Sequence, residues 1–201
     1  MKESAWLACG ILSSLLYAAM NVVVPMAYEG YSLASQTVSE LSAIGAPTRT
    51  VWVWLGVLYA LLVIGFGWGV WRSAGGNRAL RALGAVTIVN GVFMLYWPPM
   101  HMRGAGFTLT DAMHIAWTVV TVLLMLLAMG RGAAAFGKRF GLYSILTMVI
   151  VIVFGTLAGL DGPRVQANLP TPWVGIWQRI AIAAFVAWVL VLNTILLRRK
   201  A

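Results

Sequence analysis

Apolar residues fall into six long uninterrupted runs, at approximately 5–26, 51–71, 80–97, 112–129, 142–160 and 173–197. Crossing a hydrocarbon core of about 30 Å takes roughly 20 mostly apolar residues in a helix. The runs lack the period-2 alternation of an outer-membrane strand, so they predict helices and not barrel strands. The expected architecture is all-α: a polytopic membrane protein, one domain over 1–201, built as a six-transmembrane-helix bundle. The first run is too long for a removable signal peptide and lacks a small-residue cleavage site in the right context. It reads as a retained anchor. The connections at 72–79 and 130–139 are short and Gly-rich, which makes consecutive helices antiparallel neighbours.

The polar positions between the runs are unevenly divided. Lys2, Arg72, Arg78, Arg81, Arg131, Lys138, Arg139, Arg198, Arg199 and Lys200 belong to the amino end, the even connections and the carboxyl end. Only Arg49, Arg103, Arg164 and Arg179 belong to the odd side. This bias places both termini in the cytoplasm of a multi-pass inner-membrane protein. Trp52, Trp54, Trp97, Trp173 and Trp177 mark the outer boundary, and Trp6, Trp68 and Trp71 the inner one. The acids behave oppositely: Glu29, Glu40, Asp111 and Asp161, with both histidines, His101 and His114, lie in or close to the outer loops. Ionisable groups at a membrane edge are expensive to desolvate, which makes this side the place to look for function.

Three outer segments carry detail. In the first, 27–50, Ser35, Ser39 and Ser42 recur at helical spacing beside Val38, Leu41 and Ile44. That pattern predicts a short amphipathic helix folded over the bundle mouth, its three apolar residues buried and Glu40 turned toward the fourth helix. Thr37-Val-Ser-Glu40 also matches a capping box. In the second, Pro98-Pro99 ends the third helix, and Thr108-Leu-Thr-Asp111 opens the fourth with a threonine cap and an acid at its positive end. Asp111, His114, Thr118 and Thr121 then form one polar stripe descending into the membrane. Thr87, Asn90 and Trp97 on the third helix and Ser14, Tyr17 and Asn21 on the first could meet it, in a cavity opening outward.

At 61% hydrophobic and 9% charged residues, with mean hydropathy +0.88, the chain has too little polar material to cover a soluble globule. The net charge of +9 reports topology and attraction to anionic lipid, worth about 1 kcal/mol per nearby cation. No loop is long enough to build a nucleic-acid-binding domain. The single Cys9 excludes an intrachain disulfide. Glycines at i and i+4 (Gly65/Gly69 and Gly155/Gly159) allow close helix approach, inside the bundle or between copies in a homo-oligomer. No internal repeat is visible, and Asn193 and Thr194 are the only polar residues in the inner half of the sixth helix, which argues against a transporter.

The candidate chemistry is confined to a few residues. His114, Asp111, His101 and Glu40 form the candidate catalytic set. His101, His114 and a carboxylate such as Asp111 could hold zinc with an open position for water, or Asp111 could orient His114 as a metal-free acid/base pair. Arg49, Arg103 and Arg164, with Ser39, Asn90 and Tyr17, are candidates for binding the headgroup and body of a lipid or amphiphile. The competing expectation is structural: His114 bonded inside the bundle, His101 in a loop and Asp111 as a cap. Haem is disfavoured, because both histidines lie near the surface and no second pair exists.

Ser39-Glu-Leu-Ser-Ala-Ile-Gly45, the Trp/Gly-rich second helix and Asp111-Ala-Met-His114 together resemble the bacterial membrane proteins grouped as domain of unknown function 998. The resemblance covers nearly the whole chain and implies six helices. More loosely, that family looks like proteins that remodel GPI-anchor lipids and like the DRAM family, which implies a lipid-related setting. The transmembrane ceramidases and adiponectin-receptor hydrolases, a second comparison, hold zinc with three histidines beside Asp and Ser. This chain departs from them in having two histidines and no His-x-x-x-His in its last helix, so a zinc site would need a carboxylate such as Glu40 as a third ligand.

Overall fold

The computed structural model describes residues 3–199, leaving Lys2 and Lys200 of the basic set outside the described residues. Six long helices dominate: α1 (Glu3–Val23), α2 (Arg49–Arg72), α3 (Arg78–Met94), α4 (Leu109–Ala135), α5 (Lys138–Leu160) and α7 (Val174–Arg198). A single-turn α6 (Gly162–Gln166) precedes α7, and 3-10 turns occupy Val24–Ala27 and Val38–Ser42. Five helical stretches are long and apolar enough to cross a membrane: Ser4–Ala27, Arg49–Arg72, Leu109–Ala135, Lys138–Gln166 and Val174–Arg198. At 17 residues, α3 is shorter, near 26 Å at about 1.5 Å per residue. The chain is thus an all-helical, multi-pass membrane protein. Lipid-facing leucines such as Leu12, Leu58, Leu123 and Leu142 are exposed, as a protein in hydrocarbon requires.

The long helices form a closed ring. Each packs on its chain neighbour, and α7 packs on both α5 and α1. Three longer connections (24–48, 95–108 and 161–173) meet at one end, here the loop end. Two tight turns, tied by Asn77 Nδ2 to the Ala135 carbonyl (3.1 Å), form the other. Glycines set the tightest seam, between α2 and α3. A Cβ on Gly84 would lie 2.6 Å from the Trp71 amide nitrogen, and one on Gly67 2.7 Å from that of Ile88. Gly65 and Gly69 face α1 of the same chain, where added methyls would meet Cys9 Sγ at 3.0 Å and Leu7 N at 2.9 Å. That face is therefore closed to a second copy. Gly155 and Gly159 look into open space.

The core lies toward the turn end, around Leu7, Phe66, Val70, Leu83, Met129, Trp188 and Leu192. The Trp188 indole N–H donates to Ser144 Oγ (2.9 Å), so its one polar atom is satisfied in the interior.

The expected amphipathic helix shrinks to the 3-10 turn Val38–Ser42. Side chains upstream compete for the backbone: the Ser32 amide donates to Gln36 Oε1 (2.8 Å) and the Ser35 amide to Ser32 Oγ (3.2 Å). Val38 and Leu41 are buried as the pattern implied. Ile44 is not. Its amide donates to the Met100 carbonyl (2.8 Å), which draws this stretch alongside His101 and leaves the side chain 39% exposed.

Candidate functional site

Thr108 opens α4 as its N-cap, and Asp111 stands three residues on. A helical side chain leans toward its own N-terminus, so the Asp111 carboxylate turns back over the cap. There it accepts from the Thr108 amide (2.9 Å) and hydroxyl (2.7 Å). It also accepts from the His101 amide (2.7 Å), while His101 Nδ1 lies 2.9 Å away. Asp111 therefore binds His101 to the start of α4. It does not orient His114.

His114 lies one turn further along α4, buried, and both of its ring nitrogens are engaged. Nδ1 is 2.7 Å from the Pro98 carbonyl and Nε2 is 3.0 Å from Ser39 Oγ. Two groups meet Nδ1: the Pro98 carbonyl, which only accepts, and the Trp97 indole N–H (3.2 Å), which only donates. The shorter Pro98 contact favours the neutral tautomer with its proton on Nδ1, in which Nε2 accepts the Ser39 hydroxyl proton. The Trp97 indole closes one side, its ring centre 5.8 Å from the imidazole. Serine, imidazole and an orienting oxygen are thus in the order of an activated nucleophile.

Glu40, expected to meet a histidine, meets Arg103 instead. The carboxylate is 2% exposed and takes two parallel bonds from the guanidinium, from Nε and from Nη2 (3.0 Å). It also accepts from the Thr37 amide (2.6 Å), completing the capping box. The remaining Arg103 donors reach Thr171 Oγ1 (2.8 Å) and the Ser35 carbonyl (2.6 Å). One side chain thereby joins all three connections of the loop end.

The other arginines of this end also serve loop backbone. Arg49 donates to the Ser42 carbonyl (2.6 Å), and Arg164 donates twice to the Pro170 carbonyl, with Asp161 4.0 Å away. Arg179 reaches the Leu33 carbonyl (2.8 Å) and the Tyr31 hydroxyl (2.8 Å). Burial raises the Tyr31 phenol above its ordinary value, so it keeps the proton it donates to the Thr37 carbonyl (2.7 Å). Gly175 at the start of α7 lets the 33–36 loop lie on the helix, because a Cβ there would strike the Leu33 and Gln36 carbonyls.

Two candidates lie apart from this cluster. Tyr17 stacks on Tyr59 with ring centres 4.6 Å apart, and Asn90 is buried inside the ring. The ring interior holds a cavity of about 20 Å³ whose lining contains Asn90, Ser14 and Thr87 but none of Glu40, His101, Asp111 and His114. Glu29 is exposed. Among the described residues no three His, Cys, Asp or Glu side chains gather as a metal group would require. The donors are also engaged elsewhere: Asp111 by His101 and Thr108, and both nitrogens of His114 by Pro98 and Ser39. These residues do not fit a zinc ion. Reading the sequence missed Ser39 as the partner of His114, along with Thr171, Gln178 and Arg179 as ties between α7 and the first loop. Gln178 Oε1 accepts the Val38 amide (2.6 Å) across 140 residues of chain, a pairing that no local pattern announces.

Residues 11–194 match the family described as Protein of unknown function (DUF998). No curated protein and no solved structure matches the chain. With nearly its whole length matched, the chain belongs to that family.

Proposed function

We propose that this family member is a six-span inner-membrane protein whose loop end faces away from the cytoplasm and hydrolyses an ester-bearing lipid or amphiphile, with Ser39 as nucleophile and His114 as its base. Topology supports the orientation. Arg72, Arg78, Arg81, Arg131, Lys138 and Arg139 flank the two tight turns, whereas the loop-end arginines are bonded to the connections of that end. The α3 helix serves as the sixth span; it ends at Met94, short of the Pro98 stop the sequence implied, and Leu95–Trp97 carry the chain on to Pro98 without helical structure.

The observation that carries the chemistry is the 3.0 Å contact between Ser39 Oγ and His114 Nε2, with Nδ1 held by Pro98. In the reaction, Ser39 Oγ bonds to the substrate acyl carbon while its proton passes to Nε2. The ester C–O bond then breaks, and the departing alcohol takes that proton. Water, deprotonated by the same nitrogen, releases the acyl group as a carboxylic acid and restores Ser39. No metal enters. A substrate anchored by its acyl chain in the bilayer would present its ester at the depth of this pair.

The test is covalent labelling of protein in detergent with a fluorophosphonate, which reacts with activated serines. Labelling at Ser39 that is lost in Ser39→Ala, and that slows by about 10²-fold or more in His114→Gln, is the expected result. A folded protein that resists the probe overturns the reading. A second reading, a non-catalytic scaffold, has its own support: the Glu40–Arg103 pair and the Asp111 cap are fully bonded within the chain. It requires Ser39 to remain unlabelled.

A further inference from the structure

Asn90 lies one turn before the end of α3 and is only 6% exposed, yet its Oδ1 has no hydrogen-bond partner. A buried acceptor without a donor is rare in folded proteins and costly where lipid surrounds the bundle. The side chain lines the cavity inside the helix ring together with Ser13, Ser14, Tyr59, Phe66 and Thr87. The hydroxyl protons of three of these groups are directed elsewhere. Ser13 and Ser14 both donate to the Gly10 carbonyl (3.0 and 2.9 Å), and Thr87 donates to the Leu83 carbonyl (2.9 Å). Each keeps free lone pairs, so with Asn90 Oδ1 the cavity presents four acceptor oxygens, beside the Tyr59 hydroxyl, which can donate or accept.

We infer that this cavity is a binding site for water in the centre of the membrane-embedded ring, with Asn90 Oδ1 as its principal acceptor. Three features select the ligand. The lining combines acceptors with the Tyr59 hydroxyl, which calls for a small molecule that both donates and accepts. The volume of about 20 Å³ admits one water and excludes an organic molecule, since a water needs about 10–15 Å³ of such space. No acidic side chain lines the cavity, so a cation would lie there without a counter-charge, whereas neutral water would not. The site is independent of the Ser39–His114 pair, neither of which touches the cavity.

Hydroxyl-radical footprinting by X-ray radiolysis in detergent, with rapid mixing into ¹⁸O-water, reads the site directly. A bound water converts to radical in place and oxidises the side chain beside it. Tyr59, a cavity wall residue 7% exposed, should be modified and should take up ¹⁸O more slowly than Trp54, which is 70% exposed to the surroundings. Asn90→Leu should abolish the Tyr59 product and leave that of Trp54 unchanged. Should that variant not fold, Ser14→Ala removes a single acceptor and should reduce the Tyr59 product several-fold. A Tyr59 that stays unmodified in the native chain, or whose product survives loss of Asn90 or Ser14 undiminished, overturns the inference.

Discussion

Arg103→Met is the substitution that most directly probes how the loop end is held. It keeps an unbranched apolar stem of similar length and deletes every donor of the guanidinium. Glu40 loses both parallel bonds, Thr171 Oγ1 loses its donor, and the Ser35 carbonyl keeps only the Thr171 hydroxyl (2.9 Å). Removing one member of a buried ion pair costs about 3–5 kcal/mol, because the other charge stays buried without compensation. Here Glu40 retains the Thr37 amide and hydroxyl and the Gln36 amide group, which places the cost near the lower bound, about 3 kcal/mol. For a chain of this length each kcal/mol moves the midpoint by about 2–4 °C, so the melting temperature should fall by about 6–12 °C. Thermal unfolding in detergent, followed by tryptophan fluorescence, measures it. Adding Glu40→Gln should recover about 1 kcal/mol or more, since the stranded charge is removed, and this non-additivity is the signature of direct coupling. A fall under about 2 °C, or a double variant equal to the sum of the singles, would refute the lock described here. A fully stable Arg103→Met that has lost affinity for anionic lipid would instead return Arg103 to headgroup binding.

Asp111→Ala removes the acceptor of four contacts and should destabilise the chain by about 2 kcal/mol, half of it the helix cap, which guanidinium titration would detect. Gly84→Ala should cost about 1–3 kcal/mol by forcing α2 and α3 apart, while Gly56→Ala, with nothing within 4 Å, should be neutral or slightly stabilising in the same assay. Trp188→Phe takes the indole donor from Ser144 Oγ, whose own proton still goes to the Phe140 carbonyl (2.9 Å), and leaves a void, for an expected loss of about 2 kcal/mol; a change under about 0.5 kcal/mol would show that the Trp188–Ser144 bond adds little.

What could be read without coordinates was whatever depends on neighbours along the chain. Apolar runs long enough for a bilayer announced the helices, because lipid leaves the backbone few other ways to satisfy its amides. Thr37–Glu40 and Thr108–Asp111 were legible as caps, since a capping box joins residues three apart. Partnerships were not legible. Asp111 and His114 share a helix face, yet the carboxylate leans back over the cap and away from the ring one turn below. Glu40 had two histidines within plausible reach and took Arg103, 63 residues distant, because a bidentate guanidinium neutralises a buried carboxylate as a neutral imidazole cannot. Ser39 came to His114 only because the first loop folds over α4, and the Ile44–Met100 backbone bond and the ties to Arg103, Gln178 and Arg179 decide where it lies. The closing contact of α7 on α1 likewise belongs to the assembled ring. Hydropathy and capping are local, so the sequence alone determined the long helices and the two capped starts at Thr37 and Thr108. Which polar groups meet at the loop end depends on where three separate connections converge, and that was decided only when the bundle closed.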